Sequence, residues 1–348
     1  MAPNAASCDL SIIIVSWNVL PLLRDCLISI QRAAHADGTQ PLDSQGPLAL
    51  GPDNDRATLE VIVVDNGSTD GTPERLAEEF PWVRVIANRD NRGFTRANNQ
   101  GFAQSTGRFV YFLNPDTQLQ TGADGSSGLY TLYAAVRDNP GVAMAGPLLR
   151  YGDGSIQASR RCFPTPLTGF FESTWLARAW PDNPWARNFH YSDWPVEYRH
   201  PVDWVVGAAM LCRREALEQV SDSPAGQPRS APFDEGFFMY SEETDLARRL
   251  SNAGWRTLFV PESVVTHFEG RSSDQAVAAR HIHFNTSKVR YWRKWFGRGW
   301  SEALRTYLLA EYRFQIAEEQ VKRFLGSQPA LRAQRIAVYR DVLRSRLK

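Results

Sequence analysis

Polar residues that can bind ions or move protons stand in this chain where short apolar runs stop. Ser16 ends the run Ser11–Ser16 and leads into Trp17 and Asn18. Asp65 follows Val61–Val64, Asn88 comes after Val83–Ile86, and Asn114 with Asp116 follows Phe109–Leu113. A carboxylate such as Asp65, ahead of the turn Asn66-Gly67-Ser68, can accept hydrogen bonds from a nucleobase or ribose; it can equally cap that turn. Ligand-type residues at four successive tips favour binding. Asp116 is the best candidate for a divalent-cation ligand, because one or two carboxylates plus phosphate oxygens commonly hold such an ion on a diphosphate. The bland alternative for Asp116 is a helix N-cap. Asn88, Asn91, Gly93, Asn98 and Asn99 crowd the stretch NRDNRGFTRANNQG, where Arg92 and Arg96 could face phosphate. The same Asn and Gly chemistry serves turns, and Gly93 permits a positive φ.

A second group is acidic. Glu242, Glu243 and Asp245 open a segment with helical spacing. Carboxylates there suit the helix dipole; one beside an acceptor hydroxyl can also take its proton. Helical periodicity puts Glu242 and Asp245 on a similar face and Glu243 about 100° away, which leaves the choice between Glu242 and Glu243 open. His267 lies past a strand among polar residues, where a second metal ligand would be needed; a structural role is about as common for a lone histidine. His281 and His283 read as ordinary helix residues.

The elements that must carry these groups follow from the spacing. The apolar runs are short, as in buried parallel strands. Helical stripes lie between them: Leu23, Leu27 and Ile30 in Leu20–Ala34, then Pro73–Phe80 and Thr95–Ser105. A β-α-β-α-β-α-β series of this kind makes a parallel sheet with right-handed crossovers, and in open α/β sheets ligands bind beyond the carboxyl ends of the strands. The fold class is therefore α/β, with a mostly parallel, Rossmann-like sheet flanked by helices. Ala36–Thr58, rich in Gly, Pro and Asp, reads as an inserted surface loop. Val142–Ala145 reads as a short strand and Leu148–Tyr198 as irregular. Val202–Cys212 is strand-like with Gly207 in its middle, and Trp255–Val260 is a last strand. From Ala276 the chain reads as helical to its end.

Composition narrows the function. With 39 basic and 38 acidic residues, net +1, nothing calls for nucleic acid. The four cysteines are scattered without a CxxC pair, so neither a structural zinc nor a disulfide framework is expected, and reduced thiols in a cytosolic setting fit best. No signal peptide is read at the N-terminus, and no run of about 18 apolar residues offers a membrane span. The stretch after the first strand lacks the Gly-rich, basic phosphate loop of a nucleotidyltransferase and the GxGxxG of a dinucleotide dehydrogenase. A nucleotidyltransferase on a similar sheet and a non-catalytic nucleotide-sugar-binding protein are the rival readings.

Seven segments, in this order, resemble a family 2 glycosyltransferase of the GT-A fold, in its rhamnosyltransferase-like branch. They are SIIIVSWN (Ser11–Asn18), VIVVDNGSTDGT (Val61–Thr72), NRGFTRANNQG (Asn91–Gly101), FLNPDT (Phe112–Thr117), VDWVVGAAMLCRR (Val202–Arg214), FDEGFFMYSEETDLARRL (Phe233–Leu250) and VPESVVTHFEG (Val260–Gly270). The resemblance implies a GT-A domain over residues 9–273 and a C-terminal helical region over 274–348. It implies inverting transfer of a sugar from a nucleotide-diphospho-sugar, dTDP-L-rhamnose or a UDP-sugar, to a hydroxyl of a glycan or lipid-linked glycan in cell-surface polysaccharide synthesis. By the same resemblance Asp65 holds the nucleotide base, with Ser16, Asn18, Asn88, Asn91, Gly93 and Asn98 in the donor site. Asn114 and Asp116 match the family's DxD element, with Asn in the first place. His267 joins Asp116 at Mg²⁺ or Mn²⁺. Glu243 matches the catalytic base, with Glu where Asp is usual and Glu242 beside it. Trp204, Gly207 and Ala208 match the wall of the sugar and acceptor pocket. The expected setting is cytoplasmic, or peripheral on the inner face of the cell membrane. There VRYWRKWFGRGW (Val289–Trp300) mixes Arg, Lys and Trp as interfacial segments do; a helix packing its aromatics on the core is the alternative. A homodimer stays open.

Overall fold

The computed structural model describes residues 8–35, 48–122, 125–172, 174–221, 230–268 and 277–348. The first half alternates strand and helix: β1 (Leu10–Ser16), α1 (Leu20–His35), β2 (Leu48–Leu50), β3 (Ala57–Asp65), α2 (Thr72–Glu79), β4 (Val83–Ala87), α3 (Phe94–Gln104) and β5 (Phe109–Leu113). Then come β6 (Thr117–Leu119), α4 (Gly128–Arg137), β7 (Val142–Arg150), β8 (Ile156–Gln157), β9 (Arg160–Arg161) and three short helices, α5 (Thr168–Phe171), α6 (Trp175–Ala179) and α7 (Pro184–Phe189). The remainder is β10 (His200–Val202), β11 (Trp204–Val205), β12 (Ala209–Arg213), α8 (Arg214–Val220), α9 (Glu242–Asn252), β13 (Arg256–His267), α10 (Val277–Phe324) and α11 (Pro329–Ser345).

Two compact units emerge. The first takes the described residues of Met1–Cys162, Trp194–Gly236 and Glu243–Ser272; the second takes those of Phe163–Asp193, Phe237–Glu242 and Ser273–Lys348. The main sheet lies in the first unit, with strand order β10-β13-β7-β12-β5-β1-β3-β2. Through β4, β3, β1 and β5 it is parallel, as the alternation of apolar runs and helical stripes requires. Beyond β5 it is mixed: β12 runs antiparallel to both β5 and β7, while β13 runs parallel to β7. β1 is buried along its whole length. Its side chains alternate between two layers, Ile12 and Ile14 packing with Leu23, Leu27 and Ile30 of α1, and Val15 with Ile62, Val64 and Ala97 on the other side. Helices on both faces account for the unbroken apolar run Ile12–Val15 inside β1.

Four expectations change. The stretch expected as a surface loop contains β2, whose Leu48 and Leu50 are buried while Ala49 is not, a period of two that places it antiparallel on β3; the part over 36–47 lies outside the described residues. Val202–Cys212 is three pieces, with the last break at Gly207 and Ala208. β7 runs on to Arg150, and the irregular stretch after it holds β8, β9 and three short helices. β13 passes Val260, continuing through a register shift at Pro261 to His267, so the histidine is the strand's last residue.

In the second unit α10 and α11 pack around Tyr291, Trp292, Leu304, Leu308, Tyr312 and Val342. α10 breaks at Gly297, whose φ of 84° lies in the left-handed region. No described helix is long and apolar enough to cross a membrane.

Candidate active site

The parallel register sets Ser16 beside Asp65 at the ends of β1 and β3. Asp65 does two things at once. Its Oδ2 accepts the Ser68 N–H at 3.1 Å, capping the turn, while Oδ1 is buried with no hydrogen-bond partner among the described residues. Ser16 Oγ is in the same condition. Asn18 adopts φ 52°, and its Oδ1 accepts the Thr69 N–H at 2.7 Å while its own N–H donates to Ser68 Oγ at 2.9 Å. The amide thus stitches the two tips together.

The asparagine-rich stretch is largely engaged with itself. Its hub is Asn66, which the sequence reading passed over: Nδ2 donates to Asn91 Oδ1 at 3.0 Å and to the Gly93 carbonyl, and Oδ1 accepts from Asn88 and from the Arg92 N–H. Asn88 also exchanges two hydrogen bonds with Gln100, of 2.8 and 3.1 Å. Gly93 has φ 85° and leads into α3, where Asn98 donates to the Phe94 carbonyl. Arg92 sits by Asp90 and Arg96 by Glu235. Thr95 Oγ1, another residue the sequence did not single out, is buried without a partner among the described residues.

At the end of β5 the turn Asn114-Pro115-Asp116 leads into a strand, so Asp116 caps no helix. The Asn114 carbonyl accepts from Thr117 Oγ1 at 2.7 Å, its N–H donates to the Ala208 carbonyl at 2.9 Å, and its Oδ1 is unpartnered among the described residues. The antiparallel pairing of β13 with β6 puts His267 opposite Thr117 and lets the Phe268 N–H donate to the Asp116 carbonyl at 2.9 Å. His267 Nε2 and Asp116 Oδ1 then face each other across 3.4 Å, both residues buried. Behind this turn the Cys26 thiol is pushed up to about 12 by burial, which removes it as a nucleophile.

Gly207 and Ala208 connect that turn to the acidic helix. Ala208 holds Asn114, and the α-carbon of Gly207 faces Glu243 so closely that an added Cβ would lie 3.6 Å from its side chain. Burial raises the pKa of the Glu243 carboxyl, while the N–H groups of Glu243 itself, Thr244 and Gly207, and the charge of Arg161, oppose the rise. Its Oε2 is buried with no partner among the described residues. Asp245 is fully buried and accepts from Arg249 at 2.9 Å. Glu242, the first residue of α9, is buried. Two non-glycine residues in the left-handed region, Tyr240 (φ 71°) and Ser241 (φ 65°), immediately precede it; strained backbone of this kind collects at functional sites. The buried Trp204 directs its indole N–H to the Cys162 carbonyl at 2.9 Å.

The description "Glycosyl transferase family 2" matches residues 11–220. The chain belongs to that family. "Glycosyl transferase family group 2" matches residues 173–324. An N-acetylglucosaminyl-diphospho-decaprenol L-rhamnosyltransferase of Mycobacterium tuberculosis is 33% identical over 273 residues, which is 72% of this chain and 83% of that one. Among solved structures, GalNAc-T7 with UDP, GalNAc and Mn²⁺ superposes with a TM-score of 0.53 at 15% identity, over 91% of this chain and 51% of that one. The mannosyltransferase PcManGT of Pyrobaculum calidifontis, in complex with GDP-Man and Mn²⁺, gives 0.50 at 17% identity over 99% and 89%. These likenesses bear out the fold class, a GT-A-like mixed sheet flanked by helices. The protein is a glycosyltransferase of rhamnosyltransferase-like type.

The donor atoms of this glycosyltransferase fit a divalent cation at Asp116 and His267. Gln157 Oε1, an acceptor, lies 3.0 Å from His267 Nδ1, a contact that suits the tautomer with the proton on Nδ1. Nε2 then turns its lone pair toward the Asp116 carboxylate. The two atoms, 3.4 Å apart, are spaced so that both could bind one cation. An imidazole and a carboxylate oxygen suit Mn²⁺, and Mg²⁺ accepts the oxygen readily. Among the described residues no third His, Cys, Asp or Glu joins them; diphosphate oxygens and water would complete the shell.

Proposed function

We propose that this chain transfers L-rhamnose, or a related deoxysugar, from a nucleotide diphosphate to a hydroxyl of a lipid-linked glycan, with inversion at the anomeric carbon. The observation that carries the reading is a set of buried oxygens without partners among the described residues, on Ser16, Asp65, Asn114 and Glu243, in the unit that holds the Asp116–His267 pair. Buried polar atoms are nearly always satisfied, so a cluster that is not marks where a polar ligand binds. The rhamnosyl donor and lipid-borne acceptor follow the activity of the mycobacterial relative.

In this reading Asp65 Oδ1 accepts from the nucleotide base, with Ser16 and Asn18 beside it. Asp116 and His267 would hold Mg²⁺ or Mn²⁺, which when bound neutralises charge on the leaving diphosphate. Glu243 takes the proton of the acceptor hydroxyl as its oxygen bonds to the anomeric carbon, and the bond from that carbon to the diphosphate breaks. The Gly207 N–H and the absence of a side chain there keep Glu243 in place and leave room beside it. Glu243, rather than Glu242, is assigned as the base because its side chain is the one that lies against Gly207.

A thermal-shift panel of nucleotide sugars with Mn²⁺ tests the reading. dTDP-L-rhamnose with Mn²⁺ should raise Tm most, and turnover with a polyprenyl-diphosphate-linked sugar should release dTDP. A shift with UDP-sugars alone would replace the donor. No shift with any nucleotide sugar would overturn the reading.

A further inference from the structure

We propose that the bend of α10 is a docking edge for an anionic lipid surface. The chain as a whole carries a net charge of +1, yet residues 277–310 hold seven Lys and Arg against a single acid, Glu302. Arg290, Arg293 and Lys294 recur at i, i+3 and i+4, so they share one face of the helix, and all three are exposed. Tyr291 and Trp292 point the other way and are buried in the core of the second unit. For these two aromatics, helix-on-core packing is what the structure shows.

The break at Gly297 brings further cations to the same place. Arg298, exposed, follows it directly. Glu302 is held below the usual carboxylate range by its hydrogen bond to Arg305 and then by the charges of Arg293 and Arg298. Cations from both sides of the bend therefore converge on one carboxylate. Trp300 stands 43% exposed beside them, and Trp295 and Phe296 are half-buried.

Cations alone would suit any polyanion. Indoles placed among them are the composition of a segment lying in a headgroup layer, where Lys and Arg meet lipid phosphate and Trp enters the boundary with the acyl chains. The inference stands apart from the sugar chemistry proposed above; a lipid-borne acceptor would give it a use.

Co-sedimentation of the full chain with phosphatidylcholine vesicles, with and without phosphatidylglycerol, tests it and needs neither donor nor acceptor. Binding should require the anionic lipid and weaken with salt. Each cation near an anionic surface contributes roughly fivefold, about 1 kcal/mol. The variant R293Q/K294Q/R298Q should therefore partition about a hundredfold less. R56Q/R75Q/R340Q, which removes the same charge elsewhere, should bind like the parent. W300A should weaken binding while keeping its salt dependence. The proposal falls if neutral vesicles bind equally well or if the first variant binds like the parent. It falls likewise if heparin retains the chain while vesicles do not, or if the substitutions alter only the mass of a self-associated form.

Discussion

At Glu243 burial and three backbone N–H groups pull in opposite directions, and burial wins. A general base needs its ionised form, so kcat/KM should fall with acid through a limb lying above the ordinary carboxylate range. Glu243→Gln should remove that limb and lower kcat by about 10²–10⁴-fold, with donor affinity kept. Stability should move the other way. A carboxyl whose pKa the fold raises is destabilising when ionised, and this penalty fades as pH falls through its folded pKa. The Gln variant should therefore melt higher than the parent at neutral pH, with the gap closing in acid. Equal melting at both pH values would mean that the carboxyl is solvated. Asp116→Ala separates the other role: it should abolish the Mn²⁺-dependent part of donor binding, read by titration calorimetry with and without metal. If metal dependence is unchanged, the cation is held elsewhere.

Two glycines show how elements set the site. Gly107 leads into β5, and a Cβ there would stand 2.5 Å from the Ser11 backbone nitrogen, which cannot retreat without moving β1. Gly107→Ala should cost about 1–3 kcal/mol of stability, seen as a lower urea midpoint. At Gly207 the added Cβ would meet the Glu243 side chain at 3.6 Å, an ordinary contact. Gly207→Ala should therefore keep the midpoint and leave Glu243 in place, and a fall in kcat would report the new methyl occupying space that the acceptor needs beside the base. The parallel half of the sheet was legible because Ile12–Val15, Val61–Val64 and Phe109–Leu113 are unbroken apolar runs ending in polar residues. β13 was not, because Pro261 and Glu262 interrupt a strand that resumes only after a register shift. The pairing of Asp116 with His267 follows from that resumption, so periodicity alone left His267 beyond a strand end, evenly balanced between a structural residue and a metal ligand, and only the resemblance favoured the ligand. Asn66 was missed because its amide works sideways, between loops far apart in sequence; no spacing rule reports that.

At the scale of the whole molecule, charges cancel in sum yet are unevenly used, and Lys288 in the second unit shows the consequence. It is buried, and its ammonium donates to the Glu172 carbonyl at 2.7 Å. Burial lowers its pKa to about 8, against the opposing charges of Glu172 and Glu311. Between pH 8 and the ordinary lysine range the unfolded chain holds a proton that the folded chain has released. Stability must rise with pH across that window. Buried thiols work against this: burial raises Cys26 and Cys212, so their ionisation in the unfolded chain lowers stability at alkaline pH. A plain pH scan would mix the two trends. Lys288→Met isolates the first, since the thiols are common to both proteins and the unpaired Glu172 carbonyl shifts the baseline equally at every pH. The unfolding free energy of the parent minus that of the variant should grow by on the order of 2 kcal/mol from pH 7 to pH 9.5, measured by urea denaturation followed by circular dichroism. A flat difference would show that Lys288 stays charged in the fold, its ammonium fully satisfied by Glu172 and Glu311.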